Sequence, residues 1–191
     1  MNISTYLKSE SFEFYILITF KNSFELNDGV ILHEIKFFKN KRELIDYIHS
    51  NHYLFFENPD DIQQDTIKKS VKLIKDYLSG KKINLLEEFE QLHVDLSLKQ
   101  KFTTHFSLKV IQSLIKVNYG ETTSYSTLGD DIGSKAYRAI GSVMSKNPIP
   151  LIIPCHRVLK KNGQIGGFMC SINDGWEIDL KKYLITMERT H

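Results

Sequence analysis

An apolar run, Leu151-Ile152-Ile153, is framed by Pro148, Pro150 and Pro154 and leads directly into Cys155-His156-Arg157-Val158. Three consecutive large apolar residues predict a buried strand, and Pro154 forces a turn immediately before the cysteine. The chain therefore has to bury 151–153 and deliver the Cys155–His156 pair directly after it.

The 191 residues suffice for one large domain or two small ones, and a 41% hydrophobic content with 25% charged residues is that of a globular chain. Two cysteines, Cys155 and Cys170, are too few for a disulfide scaffold. No apolar stretch approaches the ~18–20 residues of a membrane span, and the N-terminus carries no signal-peptide pattern. A cytoplasmic protein, nuclear if eukaryotic, with no membrane partner is expected.

Charge divides the chain. Residues 1–95 hold 12 Lys/Arg against 16 Asp/Glu, whereas residues 96–191 hold 13 against 7. The basic half is the one suited to a polyanion. The polar stretch Asp95–Thr104 marks the boundary, giving domains 1–95 and 96–191.

The first half reads as α/β. Strands are predicted over Phe12–Phe20 and Val30–Phe38, with Asn27-Asp28-Gly29 as a hairpin turn between them. Helices follow over Lys41–His49 and Asp61–Ser79, the second with Ile67, Val71, Ile74 and Leu78 on one face and Gly80 as its stop. His33, His49, His52 and His93 lack ligand spacing, so no metal is expected.

The second half reads as mainly α. Helices are predicted over Phe106–Val117, with Phe106, Val110, Leu114 and Val117 in one stripe, over Ser124–Ile132, and over Lys135–Ser145 with Ser134 as N-cap. The last two, across Gly133, form a helix-turn-helix pattern. At 100° per residue Ala136, Ala139, Ile140 and Val143 make the buried face of the third helix, leaving Arg138, Gly141, Ser142 and Ser145 free. Lys160-Lys161-Asn162-Gly163 is a basic turn of the kind that forms a wing. An amphipathic helix closes the chain through Lys181–Glu188.

A cysteine beside a histidine becomes a nucleophile when a base or a positive field raises its thiolate fraction. A carboxylate such as Glu188 would orient the histidine. Most lone cysteines are instead buried structural residues, and Arg138 taken alone reads as an ordinary solvated arginine.

The motif Asn147-Pro-Ile-Pro-Leu-Ile-Ile-Pro-Cys-His-Arg-Val158 resembles the active-site motif of the O6-alkylguanine-DNA alkyltransferases. Tyr119-Gly-Glu-Thr-Thr-Ser-Tyr125, Lys135-Ala-Tyr-Arg-Ala-Ile-Gly141, Gly163-Gln-Ile-Gly-Gly-Phe168 and Lys181–Glu188 follow the same family in order, covering residues 103–188. The resemblance implies a ribonuclease-H-like N-terminal domain ahead of a winged helix-turn-helix domain. It implies direct DNA repair, in which guanine is flipped out of the duplex from the minor groove and its O6-alkyl group moves irreversibly to Cys155, once per molecule. His156 would act through a water as base, oriented by Glu188. Tyr125 would assist the leaving guanine and turn the target phosphate. Arg138 would fill the vacated stack, with Ala136, Gly141, Ser142 and Ser145 on the DNA, Asn147 supporting the active-site turn and Lys181 near the thiol. Val158, through its backbone, Phe168 and Met169 would line the guanine pocket. The expected partner is double-stranded DNA containing O6-alkylguanine, met by a monomer that needs no cofactor.

The sequence departs from the family where Phe168 replaces a tyrosine and Met169 stands where some members carry a serine. The loop 169–180 is also lengthened, with Trp176 expected to pack beneath it. Cys170 has no catalytic role in this reading, and a Cys155–Cys170 disulfide would inactivate the protein. The competing functions are a non-catalytic winged-helix lesion-binding protein, disfavoured by the presence of Cys155, and a cysteine hydrolase.

Overall fold

Strands rich in β-branched and aromatic residues dominate the start of the chain, and their pairing fixes the N-terminal architecture. The computed structural model describes residues 2–9, 13–23, 29–172 and 174–190. They divide into two units, Met1–Ser97 and Leu98–His191. The division falls two residues beyond the expected 95/96 because β5 (Val94–Asp95) pairs with β3 (Gly29–Phe38) and the Asp95 carboxylate accepts from the Ser97 N–H at 2.7 Å.

In the first unit β1 (Asn2–Lys8), β2 (Tyr15–Ser23) and β3 form an antiparallel meander. Helix α1 (Lys41–Asn51) then leads to β4 (Leu54–Phe56), which lies parallel to β1. Helices α2 (Asp65–Leu78) and α3 (Leu85–Gln91) precede β5, and the sheet order is β4-β1-β2-β3-β5. As the central strand, β2 is buried on both faces at Ile16, Leu17 and Ile18, and α1 covers Leu17 with Leu44 and Ile48. Each such fully buried side chain contributes about 1.5–3 kcal/mol.

Strand β1 is not among the strands predicted from the sequence. The strand placed at Phe12–Phe20 begins at Tyr15, Phe12 lying outside the described residues. Asn27 and Asp28 of the expected turn also lie outside them, and Gly29 opens β3. The helix expected from Asp61 starts at Asp65, because Pro59–Asp61 forms a separate 3-10 turn capped by Asn58. Its buried line Ile67, Val71, Ile74 and Leu78 is as expected. Among the described residues no group of three His, Cys, Asp or Glu could hold a metal ion, and no helix is long and apolar enough to cross a membrane.

The second unit opens with α4 (Leu98–Lys101) and α5 (His105–Leu114), the latter started by a capping box between Thr104 and Ser107. Val110, Ile111 and Leu114 are buried, whereas Phe106 and Val117 are only partly so. Strand β6 (Thr123–Ser124) pairs in parallel with β7 (Val158–Leu159). Ser124 caps α6 (Tyr125–Asp131), and Gly133, at φ +68°, terminates its turn. Helix α7 starts two residues later than expected, spanning Tyr137–Ser145. Ser134 is not its N-cap. Its hydroxyl accepts from the Ala136 N–H, closing a turn before the helix.

Gly129 allows α6 and this turn to meet. A Cβ there would stand 2.5 Å from the Ser134 carbonyl oxygen and 2.7 Å from the Tyr137 ring. Tyr137 sits against Gly129 at the start of α7, and the helix buries Ile140 and Met144. Ala136 and Ala139, expected to be buried, are exposed, and Val143 is half-buried.

Residues 151–153 are buried, but they are not a strand. Leu151 has φ +74°, the Ile153 N–H donates to the Ile149 carbonyl at 3.1 Å, and a single bridge joins Pro150 to Ile153. Prolines at 148, 150 and 154 lack the N–H groups a ladder requires, so the run coils within the core. Helix α8 (Trp176–Thr190) closes the unit. Trp176, half-buried, is its first residue.

Candidate active site

Pro154 and the coiled run deliver Cys155–Arg157 as a 3-10 turn, so successive side chains diverge around a short helix instead of alternating across a strand. Cys155 is 7% exposed. Asn147 fixes it from the end of α7: its amide nitrogen donates to the Ile153 carbonyl at 2.9 Å and to Cys155 Sγ at 3.3 Å, while its oxygen accepts from the Ile149 N–H.

Glu188 on α8 joins the two residues after the cysteine. His156 Nε2 lies 3.0 Å from Glu188 Oε1. Arg157 grips the same carboxylate in a fork, with Nε 2.9 Å from Oε2 and one terminal nitrogen 2.8 Å from Oε1. Its other terminal nitrogen donates to the Val117 carbonyl at 2.7 Å, and the Gly120 N–H donates to Glu188 Oε2. All three side chains are buried. Burial alone would raise the Glu188 carboxyl, but hydrogen bonds from His156 and Arg157 overcome it and hold the group well below the usual carboxylate range. Burial lowers His156 against the pull of Glu188, leaving a neutral imidazole at pH 7. With Glu188 ionised, Nε2 carries the ring proton and the basic lone pair sits on Nδ1.

Burial pushes the Cys155 thiol up, opposed by the Asn147 hydrogen bond and the charge of Lys181. The resting side chain is a thiol, so attack requires proton removal at the moment of reaction. Lys181, wholly buried on α8, donates to the carbonyls of Val158 at 2.6 Å and Gly167 at 3.1 Å. Burial brings its ammonium down to about 8, against the favourable pull of Cys155.

A cavity of about 400 Å³ opens beside the thiol, lined by Cys155, Tyr125, Arg138, Gly141, Ser142, Met144, Ser145 and the segment Gly167–Ile172. Tyr125 is held close to Gly166, where a Cβ would stand 3.0 Å from its ring and hydroxyl. Burial and the neighbouring Cys155 raise its phenol, so it stays a donor. Phe168 and Met169 line this cavity. Val158 is wholly buried, and its carbonyl accepts from Lys181 Nζ. Ala136 lies ahead of α7 and away from the cavity lining. His156, Asn147, Glu188 and Lys181 do not line the cavity.

Sequence reasoning gave Arg157 and the Gly120 N–H no role. A signal for Arg157 existed: a guanidinium inside a buried run needs a carboxylate, and of the acidic residues on the closing helix Glu188 is the buried one. Cys170 and Ile172 were also missed as cavity residues. Phe168 and Ser171 exchange backbone hydrogen bonds across a two-residue turn whose members, Met169 and Cys170, both have positive φ. The exposed Cys170 thiol donates to the Ser145 carbonyl at 3.2 Å.

A buried thiol aligned by an amide and backed by an imidazole–carboxylate–guanidinium cluster, opening on a cavity flanked by a cation-bearing helix, defines a protein that works through a cysteine nucleophile. Residues 105–190 match the family described as 6-O-methylguanine DNA methyltransferase, DNA binding domain. The chain is 34% identical over 125 residues to the methylated-DNA–protein-cysteine methyltransferase of Methanosarcina barkeri, covering 65% of this chain and 69% of that protein. It is 34% identical over 134 residues to the constitutive enzyme of that name from Bacillus subtilis, covering 70% and 72%. The chain belongs to the methylated-DNA–protein-cysteine methyltransferase family.

The fold agrees with the Mycobacterium tuberculosis O6-methylguanine methyltransferase at a TM-score of 0.67 and 23% identity, over 100% of this chain and 94% of that one. The Pyrococcus kodakaraensis O6-methylguanine-DNA methyltransferase superposes at 0.64, over 98% and 99%. A crystal structure of the M. tuberculosis protein in complex with DNA matches at 0.65.

Proposed function

We propose that this protein repairs duplex DNA by moving the alkyl group from O6 of a flipped-out guanine to Cys155. The observation that carries this reading is the Asn147-aligned thiol, set in a cavity between Tyr125 and α7 and backed by buried His156 and Glu188. In the transfer the O6–alkyl carbon bond breaks and a bond from Cys155 Sγ to that carbon forms. His156 Nδ1 takes the thiol proton through a water, and Glu188 stabilises the imidazolium. The guanine oxygen gains the bond's electron pair, and the Tyr125 hydroxyl donates to the leaving base. A thioether is a poor leaving group, so each molecule acts once. No cofactor is required, because the acceptor is the protein.

In this reading α6 and α7 are a helix-turn-helix, with the 160–163 turn as its wing, and the first unit is ribonuclease-H-like. The meander followed by a helix and a parallel strand supports the latter. Gly141, Ser142 and Ser145 give α7 a low profile suited to a minor groove, and Arg138 fills the space the guanine leaves.

The test is incubation with duplex DNA containing O6-methylguanine, then tryptic digestion. The peptide Asn147–Arg157 gains one methyl group on Cys155. An unmodified peptide after prolonged exposure to excess substrate refutes the proposal and leaves a lesion-binding protein.

Arg138→Ala separates flipping from chemistry. Extruding a base costs a few kcal/mol, so removing the side chain that offsets it should slow transfer from duplex DNA by roughly tenfold to a hundredfold. Transfer from free O6-benzylguanine should change by no more than about twofold. Equal losses on both substrates would contradict the role given to Arg138.

A further inference from the structure

A second cavity of about 400 Å³ lies against the first, and the two share Tyr125, Arg138, Gly141 and Gly167. What the second adds is Tyr137, Lys160 and Lys161, with Ser126 and Gly166 between them. We infer that this second cavity holds the nucleotide adjoining the flipped one in the same strand, its phosphate between Lys160 and Lys161 and its sugar–base face against the Tyr137 ring. The inference rests on the proposed DNA-repair reading.

Charge selects the occupant. Arg138, Lys160 and Lys161 all line the cavity, no carboxylate does, and none of the three forms an ion pair with another described residue. A surface with three unopposed cations favours a polyanion, and a phosphodiester strand presents one charge per nucleotide.

The lysines stand on a fixed turn. The Lys160 N–H donates to the Gln164 carbonyl at 2.9 Å, and the Gly163 N–H donates to the Lys160 carbonyl at 2.9 Å. The Asn162 side chain accepts from the Gln164 N–H, and Leu159 bridges Ile165 across the base. The backbone of the turn is therefore ordered before DNA arrives, which leaves only the lysine side chains to be immobilised on binding.

Tyr137 supplies the flat apolar surface. It is one of few large hydrophobic residues left exposed, at 39%, and its ring is braced in place over Gly129. A ring so held suits packing against a sugar or base, which single-strand-binding surfaces use irrespective of sequence. Because Tyr125 and Gly141 belong to both linings, a strand with its flipped nucleotide at Cys155 carries the adjoining residue past this wall into the second cavity.

The experiment measures binding of a duplex carrying one O6-methylguanine by fluorescence anisotropy across a salt series, in a Cys155→Ser background that cannot react. Lys160→Ala/Lys161→Ala should lower the slope of log affinity against log salt by about 0.9 per lost phosphate contact, ~1.8 in all, and weaken binding roughly tenfold near 0.1 M salt. Lys160→Arg/Lys161→Arg should restore the slope. Tyr137→Ala should weaken binding with the slope unchanged. In the Cys155 background all these variants should accept the benzyl group of free O6-benzylguanine at the wild-type rate.

A double alanine variant with the wild-type slope and affinity overturns the inference, as does one that loses transfer from the free base, since that places the lysines in the acceptor site. If the wild type accepts no alkyl group from either substrate, it is the repair reading that fails.

Discussion

Glu188→Gln is expected to lower the stability of the C-terminal unit by about 3–5 kcal/mol, the usual consequence of removing one partner from a buried charge pair. The carboxylate is the common acceptor for His156 Nε2, Arg157 Nε and terminal nitrogen, and the Gly120 N–H. Glutamine keeps the shape but presents an N–H₂ where one of these donors needs an acceptor, and the buried guanidinium loses its counter-charge. Trp176, the only tryptophan in the chain, begins α8, so its fluorescence during urea unfolding of the full-length protein reports this unit. The effect carries a pH signature. A carboxyl held below its unfolded value contributes stability that is complete above the unfolded pKa, about 4.3 for glutamate, and is lost as pH falls toward the folded value. The gap between wild type and Glu188→Gln should be constant near neutrality and narrow below about pH 4. A gap under 1 kcal/mol at pH 7 would show that Glu188 does not sustain the cluster. In the proposed mechanism transfer should also slow, because the neutral amide of the variant would not stabilise an imidazolium at His156.

The cluster also shows what could and could not be read from the linear sequence. Helical periodicity located α2 and its buried line, because Ile67, Val71, Ile74 and Leu78 repeat along one face of an uninterrupted helix. It misplaced the inner face of α7, where the helix starts two residues later than expected and Tyr137 sits against Gly129. That depends on a close approach between two elements, which no pattern within α7 encodes. The apolar run 151–153 was correctly expected to be buried yet wrongly expected to be extended, since proline chemistry outweighs β-propensity when three prolines surround three residues. Cys155, His156 and Glu188 were legible as chemistry-bearing residues, but the bond of Arg157 to Glu188 spans 31 positions and became visible only once α8 was placed. Backbone acceptors are harder still to anticipate. The Val158 carbonyl accepts from Lys181, a pairing set by where the ammonium of a buried lysine can reach.

Tyr125→Phe should slow the single-turnover transfer by about 10²–10³-fold, the range typical for loss of one hydrogen-bond donor aimed at developing negative charge. The phenol lines the acceptor cavity beside Cys155, and its pKa is raised by burial and by that cysteine, so the proton is present throughout the working pH range. Its hydroxyl forms no hydrogen bond with another described residue, leaving the donor uncommitted until a base enters. Removing it should therefore cost little stability, while the ring remains packed against Gly166 and Gly141. The decisive comparison is between substrates. Leaving-group assistance acts on the chemical step, so Tyr125→Phe should slow transfer from duplex DNA and from free O6-benzylguanine by similar factors, whereas Arg138→Ala should affect the duplex alone. Rapid-quench measurement at saturating substrate separates this loss from weakened binding. A Tyr125→Phe variant with a wild-type transfer rate on both substrates would remove the hydroxyl from the mechanism and leave the ring as a wall of the cavity. A loss confined to the duplex would instead give the hydroxyl a part in turning the target phosphate, as distinct from assisting the departure of guanine.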